Sequence, residues 1–289
     1  MIYQTIVTHP GGAHKDEFLA CAVLIAHASS PTPVFRREPS ATDLADPATA
    51  VIDVGGLHEP ASNNFDHHQF PPDQQPPLCA LSLVLMHLGL YDDAREFCDW
   101  LEPAEWFDVL GPNETARRLG IDRNSLAALV SPIDLTLLRR FASTSEIRPQ
   151  EPLWHVMQWI GTDLINYLRE TRRRLEFIAA NARLWEHAGH HVLFLPRTNP
   201  LPAEPSAGLP RFIATRHPDA AIAAMIYPDR RGPGYALSRY NDHPAFDFTL
   251  ISSAPDVHFA HTRGFIAKTS ATLESRLREL LGAAANHLP

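Results

Sequence analysis

The chain has 289 residues, of which 45% are hydrophobic and 20% charged, a globular balance that fits one large or two modest domains and excludes disorder. Its 33 acidic residues outnumber the 25 basic ones, for a net charge of -8. That excludes a broad basic face for long nucleic acid, because phosphate neutralisation drives such binding, but it leaves room for a local basic cleft.

In chain order, residues 2–8 read as a short β-branched strand with no basic leader before it, so no signal peptide is expected. Residues 16–28 read as a helix apolar on most faces. Its apolar stretch is broken by His27 and falls short of the ~20 residues a bilayer needs, so no membrane partner is expected. Residues 50–54 repeat the buried-strand pattern and 78–90 the apolar helix. Strands alternating with helices predict a parallel sheet covered on both faces. Prolines punctuate the chain in clusters: Pro71, Pro72, Pro76 and Pro77, then Pro149 with Pro152, then Pro200, Pro202, Pro205 and Pro210. None of these stretches suits a helix interior or a central strand. Residues 153–185 carry Leu153, Met157, Ile160, Leu164, Leu168, Leu175 and Ile178 at helical spacing, which predicts a linking helix of about thirty residues. Beyond it, strand signals crowd together in HVLFL, FIA, AAIAAMIY, GYALSRY, DFTLIS and VHFAH, before a last helix near 272–285. The expected organisation is α/β: residues 1–150 as a parallel-sheet domain, 151–187 as a linker helix, and 188–289 as a smaller mixed-sheet domain. Three cysteines are too few and too unevenly spaced for a disulfide framework, so a reducing cytoplasm is the expected location.

Three segments concentrate chemistry. Thr8-His9-Pro10-Gly11-Gly12-Ala13-His14-Lys15-Asp16-Glu17 lies where a strand ends and a helix begins, the place where open α/β sheets bind ligands. Val51-Ile52-Asp53-Val54-Gly55-Gly56 delivers a second strand-end carboxylate, and Phe65-Asp66-His67-His68-Gln69 places three ionisable groups in a loop. Taken singly, each has an ordinary structural reading; Asp16 could simply favour a helix dipole and Asp53 could cap a turn. Together they offer His9, His14, Asp16, Asp53, Asp66, His67 and His68, imidazoles and carboxylates without a thiolate, which suit manganese, zinc or iron rather than calcium. Seven potential ligands exceed the needs of one tetrahedral ion and point to a pair sharing a carboxylate, the arrangement that activates water against a phosphoryl group.

These segments also carry a resemblance. The chain resembles the DHH phosphoesterase superfamily, named for the triplet present here as Asp66, His67 and His68. Within it, HPGGAHKDE, VIDVGG and FDHHQ are most similar to the melanocyte-proliferating-gene-one family, also called uncharacterised protein family 0160. The resemblance implies an N-terminal DHH domain, a smaller C-terminal α/β domain and an active site in the cleft between. It implies two divalent ions, Mn2+ first and Mg2+ or Zn2+ next, and hydrolysis of phosphodiesters of RNA or short oligonucleotides. By family role His9, His14, Asp16, Asp53 and His67 would hold metal, with Asp53 bridging. His68 would lean toward the phosphate and Asp66 would orient the triplet. A further carboxylate is matched to Asp108, with Asp99 in reserve.

The family's C-terminal Ser-Gly-Phe-Ile-Gly-Gly reads Arg263-Gly264-Phe265-Ile266-Ala267-Lys268 here, and the chain's two lysines, Lys15 and Lys268, both fall in site segments. Lys15, His261, Arg263 and Lys268 are therefore the expected substrate contacts, with Lys268 also near the chemistry. The acidic balance favours short RNA, oligonucleotides or a small phosphoester as partner, and a homodimer is an admissible assembly. The rival readings are a non-catalytic, metal-containing binding or regulatory module, a hydrolase of a small phosphorylated metabolite, and a metal hydrolase acting on a non-phosphate bond.

Overall fold

The computed structural model describes residues 3–71, 76–128, 130–187 and 189–286. Pro72, one of the prolines of the first proline-rich loop, lies outside the described residues. The chain divides at Glu170/Thr171 into two compact units.

The first unit opens with β1 (Thr5–Thr8), α1 (Lys15–His27), β2 (Val34–Arg36), α2 (Ala41–Ala45) and β3 (Thr49–Ile52). It continues through β4 (His58–Glu59), β5 (Asn64–Phe65), α3 (Ala80–His87), α4 (Tyr91–Phe97), α5 (Leu101–Leu119), α6 (Arg123–Ala128), α7 (Pro132–Ala142) and β6 (Glu146–Ile147). The sheet order is β4-β5-β3-β1-β2-β6. Its four central strands are parallel, as the alternation predicts, and the two short edges β4 and β6 run antiparallel. The chain leaves β1 for β2 on one side and then crosses to β3 on the other, which makes a switch point between β1 and β3, where such sheets form a ligand crevice. The ladder pairs Thr8 with Ile52 and Ile52 with Phe65, so the residues that follow, His9, Asp53 and Asp66, emerge side by side at one edge.

Helix α1 is apolar nearly all round because it is covered nearly all round; Phe18, Ala20, Cys21, Ala22, Val23, Leu24 and Ile25 are buried. All three cysteines are buried and outside any disulfide, and Cys79 Sγ lies 3.3 Å from Ser82 Oγ. Helix α8 (Pro152–Asn181) crosses α1 at Gly161, where an added Cβ would stand 2.0 Å from the Ala22 carbonyl oxygen; only glycine permits that approach. The helical spacing in sequence runs to Trp185, yet the chain leaves the helix at Asn181.

The second unit contains β7 (Arg183–His187), β8 (His190–Phe194), α9 (Leu209–Arg216), β9 (Ile222–Pro228), β10 (Tyr235–Arg239), β11 (Val257–Ala260), β12 (Ile266–Thr269) and α10 (Glu274–Ala283). The order is β11-β12-β10-β9-β8-β7, mixed as expected, with only β8 and β9 parallel. Its core joins Val192, Phe194, Ile226, Leu237 and Phe246 to Leu277, Leu280 and Leu281 of α10.

Two strand signals are corrected by the structure. FIA lies inside α9, because Leu209, Phe212 and Ile213 share one buried helical face and three apolar residues alone cannot report a period. DFTLIS forms a single 3-10 turn at Phe248–Ile251, started by Asp247, whose carboxylate accepts the Thr249 N–H. His187 and His190 face each other across the β7–β8 hairpin. The arginine run 172–174 is split: Arg174 donates to the carbonyls of Ala207 and Pro205, while Arg172 and Arg173 are exposed. Among the described residues no helix is long and apolar enough to cross a membrane.

Candidate metal centre

The centre is built where β1, β3 and β5 end. After β1 the chain turns through Pro10 and Gly11, whose φ of +88° suits glycine, and His14 then precedes α1 in an extended conformation. The His14 N–H donates to Glu17 Oε2 at 2.7 Å, so the first turn of α1 grips the loop that feeds it. Asp16 and Glu17 sit in that turn, where the helix dipole favours negative charge, but both are buried. Asp53 follows β3 with φ +59°, a left-handed conformation that a carboxylate tolerates better than most side chains, and its N–H is pinned to the Phe65 carbonyl at 3.0 Å. Asp66 follows β5. One of its oxygens accepts the Gly56 N–H at 2.6 Å; the other accepts the His68 N–H at 3.0 Å and lies 2.7 Å from His68 Nδ1. Asp66 thus fixes the His68 ring and leaves Nε2 for another partner. Asp108 arrives from α5, one turn before the break at Gly111.

The side chains meet closely. His9 Nε2 is 3.2 Å from Glu17 Oε1 and 3.4 Å from Asp53 Oδ2. His67 Nε2 is 3.1 Å from both Asp53 Oδ1 and Asp108 Oδ2. His14 Nδ1 is 3.5 Å from Asp108 Oδ1, and His68 Nδ1 is 3.8 Å from Asp53 Oδ1. Among the described residues, three groups have ligand atoms within 4.8 Å of one another: His9, His14, Glu17 and Asp53; Asp53, His67 and His68; His14, Asp16 and Asp108. Asp53 belongs to the first two of these and His14 to the first and third.

Both oxygens of Asp16, Oδ1 of Asp53 and Oδ2 of Asp108 are buried without a hydrogen-bond donor. A single His67 Nε2–H cannot serve two carboxylates at once, so hydrogen bonding alone does not account for the cluster. Buried carboxylates at this spacing are costly unless a cation neutralises them, and imidazole with carboxylate is the donor set of a divalent transition metal. The residues present therefore fit divalent ions.

Protons carry part of that charge when no ion is bound. The His9 ring is pushed up to about 10 by its contacts with Asp53 and then Glu17. Burial opposes a charge on His67, but Asp108 and Asp53 outweigh it and also raise the ring to about 10. Burial likewise opposes the Asp53 anion, yet His67 and His9 hold it down at about 2. Both shifts favour protonated rings near neutral pH, so uptake of an ion there would displace protons. Calorimetric titration with Mn2+ in buffers of different ionisation enthalpy is expected to show proton release, with affinity rising as pH rises toward 10; release of no proton would contradict this.

The structure distributes the remaining expected residues differently. Lys15 is half-exposed and pairs with Asp134 at 3.4 Å on α7. Asp99 is exposed and belongs to none of the three groups. Lys268, His261 and Arg263 lie in the second unit, where Lys268 Nζ donates to buried Asp229 at 2.9 Å and His261 Nδ1 accepts the Arg263 N–H at 3.1 Å. Two residues took no role from sequence. Glu17 was visible as the last letter of the first motif. Arg36, which contacts Glu17, left no signal beyond a basic residue closing a strand.

The cleft over this cluster encloses about 610 Å³. Phe70, Pro71, Pro77, Leu78 and Val109 form its apolar side, and neither lysine nor arginine lines it among the described residues.

A family model described as uncharacterised protein family UPF0160, the MYG1 exonuclease family, matches residues 5–90. The MYG1 exonuclease of Mus musculus is 41% identical over 97 residues, covering 29% of this chain and 25% of that protein. The MYG1 exonuclease of Homo sapiens is 33% identical over 97 residues with the same coverage. The chain thus spans about a quarter of the length of these curated relatives. Among solved structures, the DHH domain of a protein assigned to a family of ribosomal proteins aligns with TM-score 0.32 and 15% identity, over 97% of this chain and 85% of that one. A pGpG-specific phosphodiesterase from Vibrio cholerae aligns with TM-score 0.30 and 13% identity, over 97% of each chain.

Proposed function

From the premise that residues 5–90 carry the pattern of the MYG1 exonuclease family, we propose that the protein is a divalent-metal-dependent phosphoesterase acting on phosphodiesters of short RNA or oligonucleotides. One observation carries this reading: both buried oxygens of Asp16 lack a hydrogen bond, and one buried oxygen each of Asp53 and Asp108 must share the single His67 Nε2 at 3.1 Å.

His9, His14, Asp16, Asp53, His67 and Asp108 would hold the ions, Mn2+ first, with Asp53 shared and Glu17 at the margin. Bound there, a pair of ions would lower the pKa of the attacking water and neutralise charge on the phosphoryl oxygens. The protein's own residues do the rest. Asp66 orients His68, whose exposed ring offers Nε2 to a phosphate oxygen. The apolar side of the cleft seats a nucleoside-like group and sheds water. No lysine or arginine lines the cleft among the described residues, so a long polyanion gains little there, and short substrates are favoured. Lys15, Lys268, His261 and Arg263 enter the proposal as phosphate contacts outside the lining of that cleft; Lys15 pairs with Asp134 and Lys268 with Asp229.

Purified protein with Mn2+ is expected to cleave short single-stranded oligonucleotides and to lose that activity in chelator. Preferential turnover of nucleoside bisphosphates would instead identify a metabolite hydrolase. Bound ions without turnover of any phosphoester would identify a non-catalytic module and end the proposal. Lys268→Ala is expected to raise KM about tenfold, the worth of one charge-assisted hydrogen bond; an unchanged KM removes that contact.

A further inference from the structure

We infer that Arg36 is the positioning residue of the metal centre, acting through the backbone of the His9–His14 loop without touching ion or substrate. The inference rests on the metal-binding reading above.

Arg36 closes β2, and its side chain is 1% exposed. Nη1 donates to the Gly11 carbonyl at 3.1 Å and to the Phe141 carbonyl at 3.2 Å. Nη2 donates to the Gly12 carbonyl at 2.9 Å and faces Glu17 Oε1 at 3.5 Å. The guanidinium lies over the Phe141 ring, 4.5 Å from its centroid, which fixes the plane of the fork. Glu17 completes the clamp, with one oxygen accepting the His14 N–H and the other beside His9 Nε2. The loop that separates two candidate ligands is therefore held at both glycine carbonyls by Arg36 and at both histidines by Arg36's carboxylate partner.

This arrangement answers a specific difficulty. Gly-Gly gives the loop the turn it needs but also wide conformational freedom, so His9 and His14 would be poorly fixed relative to each other. A planar fork with five fixed donors can hold two successive carbonyls and a carboxylate at once; a lysine ammonium, a point charge on a flexible stem, cannot. A buried guanidinium that served Glu17 alone would not need the two loop carbonyls.

The test compares full-length Arg36→Lys, which keeps the charge opposite Glu17, with Val34→Ala, a cavity on the same strand that makes no loop contact. Mn2+ affinity of Arg36→Lys is expected to fall about 10- to 100-fold, the usual effect of disturbing a group that orients ligands. Its kcat at saturating Mn2+ stays near wild type. Val34→Ala, at a comparable loss of Tm, keeps wild-type affinity. Amide exchange of residues 11–14 in ion-free protein, a readout that needs no metal, is expected to quicken only in Arg36→Lys. Equal Mn2+ affinity and equal loop exchange in the two variants would overturn the inference. Should Arg36→Lys not fold, Phe141→Leu, which removes the face beneath the fork, decides by the same comparison. Wild-type protein that takes up no Mn2+ defeats the metal reading instead, and loop exchange then judges Arg36 alone.

Discussion

Asp53→Asn is expected to lower metal-dependent turnover by at least about a thousandfold, at the upper end of what removing one preorganised electrostatic group costs. Asp53 stands where two candidate ligand groups overlap, and one of its oxygens is buried without a donor. The amide keeps its volume but cannot neutralise a cation, so the loss is one of charge rather than of shape. Asparagine is the sharper substitution for a second reason. At φ +59° it holds the left-handed backbone as well as aspartate does, whereas alanine adds a penalty of order 1 kcal/mol. Asp53→Asn should therefore fold, melt below wild type without ions because the pairing with His67 and His9 is lost, and bind substoichiometric Mn2+ by elemental analysis. Full turnover or a full complement of ions in the variant would remove Asp53 from the centre.

Asp16→Asn is expected to move stability and ion binding in opposite directions. Burial, then the neighbouring charges of Asp108, Asp53 and Glu17, hold the Asp16 carboxyl well above its ordinary range. An acid raised in the folded state binds more protons folded than unfolded, so its contribution to stability falls as pH climbs past the ordinary carboxylate value of 3.8. In chelator near neutral pH the asparagine variant should melt above wild type, by roughly 2–4 °C for each kcal/mol of relieved burial. The gap should close as the pH is lowered toward 3.8. With saturating Mn2+ the order should invert, because wild type gains about 2.7 kcal/mol at a hundred times its Kd while the variant gains little. Melting curves in chelator and in Mn2+ decide it: a variant that is less stable in both states would show that Asp16 is simply a structural residue.

The parts of the centre legible in sequence share one property: their chemistry is written in local order. A histidine, two glycines, a second histidine and two acids between a strand and a helix announce a strand-end site, and VIDVGG and FDHHQ repeat the message. Asp108 was harder to place, because it comes from a helix interrupted at Gly111-Pro112, and apolar periodicity there is weak. The resemblance supplied it and geometry sets it beside His67, while Asp99 remains outside. Arg36 was illegible because its partners are carbonyl oxygens, which every residue possesses and no motif records. In the second unit the long strands were readable from β-branched runs. The three apolar residues of FIA were too short to separate helix from strand, and the Asp247 turn was hidden inside an apolar stretch.

Thr8, Ile52 and Phe65 are cross-strand partners, and the residue after each one faces the same centre. Capture of a cation at the proposed centre would consequently gauge alignment. Sliding one of these strands by a single position would turn its terminal group to the opposite surface and disperse the cluster. Such pairings join separated stretches of chain, and closing them slows folding. During refolding, the first moment at which the chain retained an ion would therefore time the docking of β1, β3 and β5, which collapse and helix formation would not reveal.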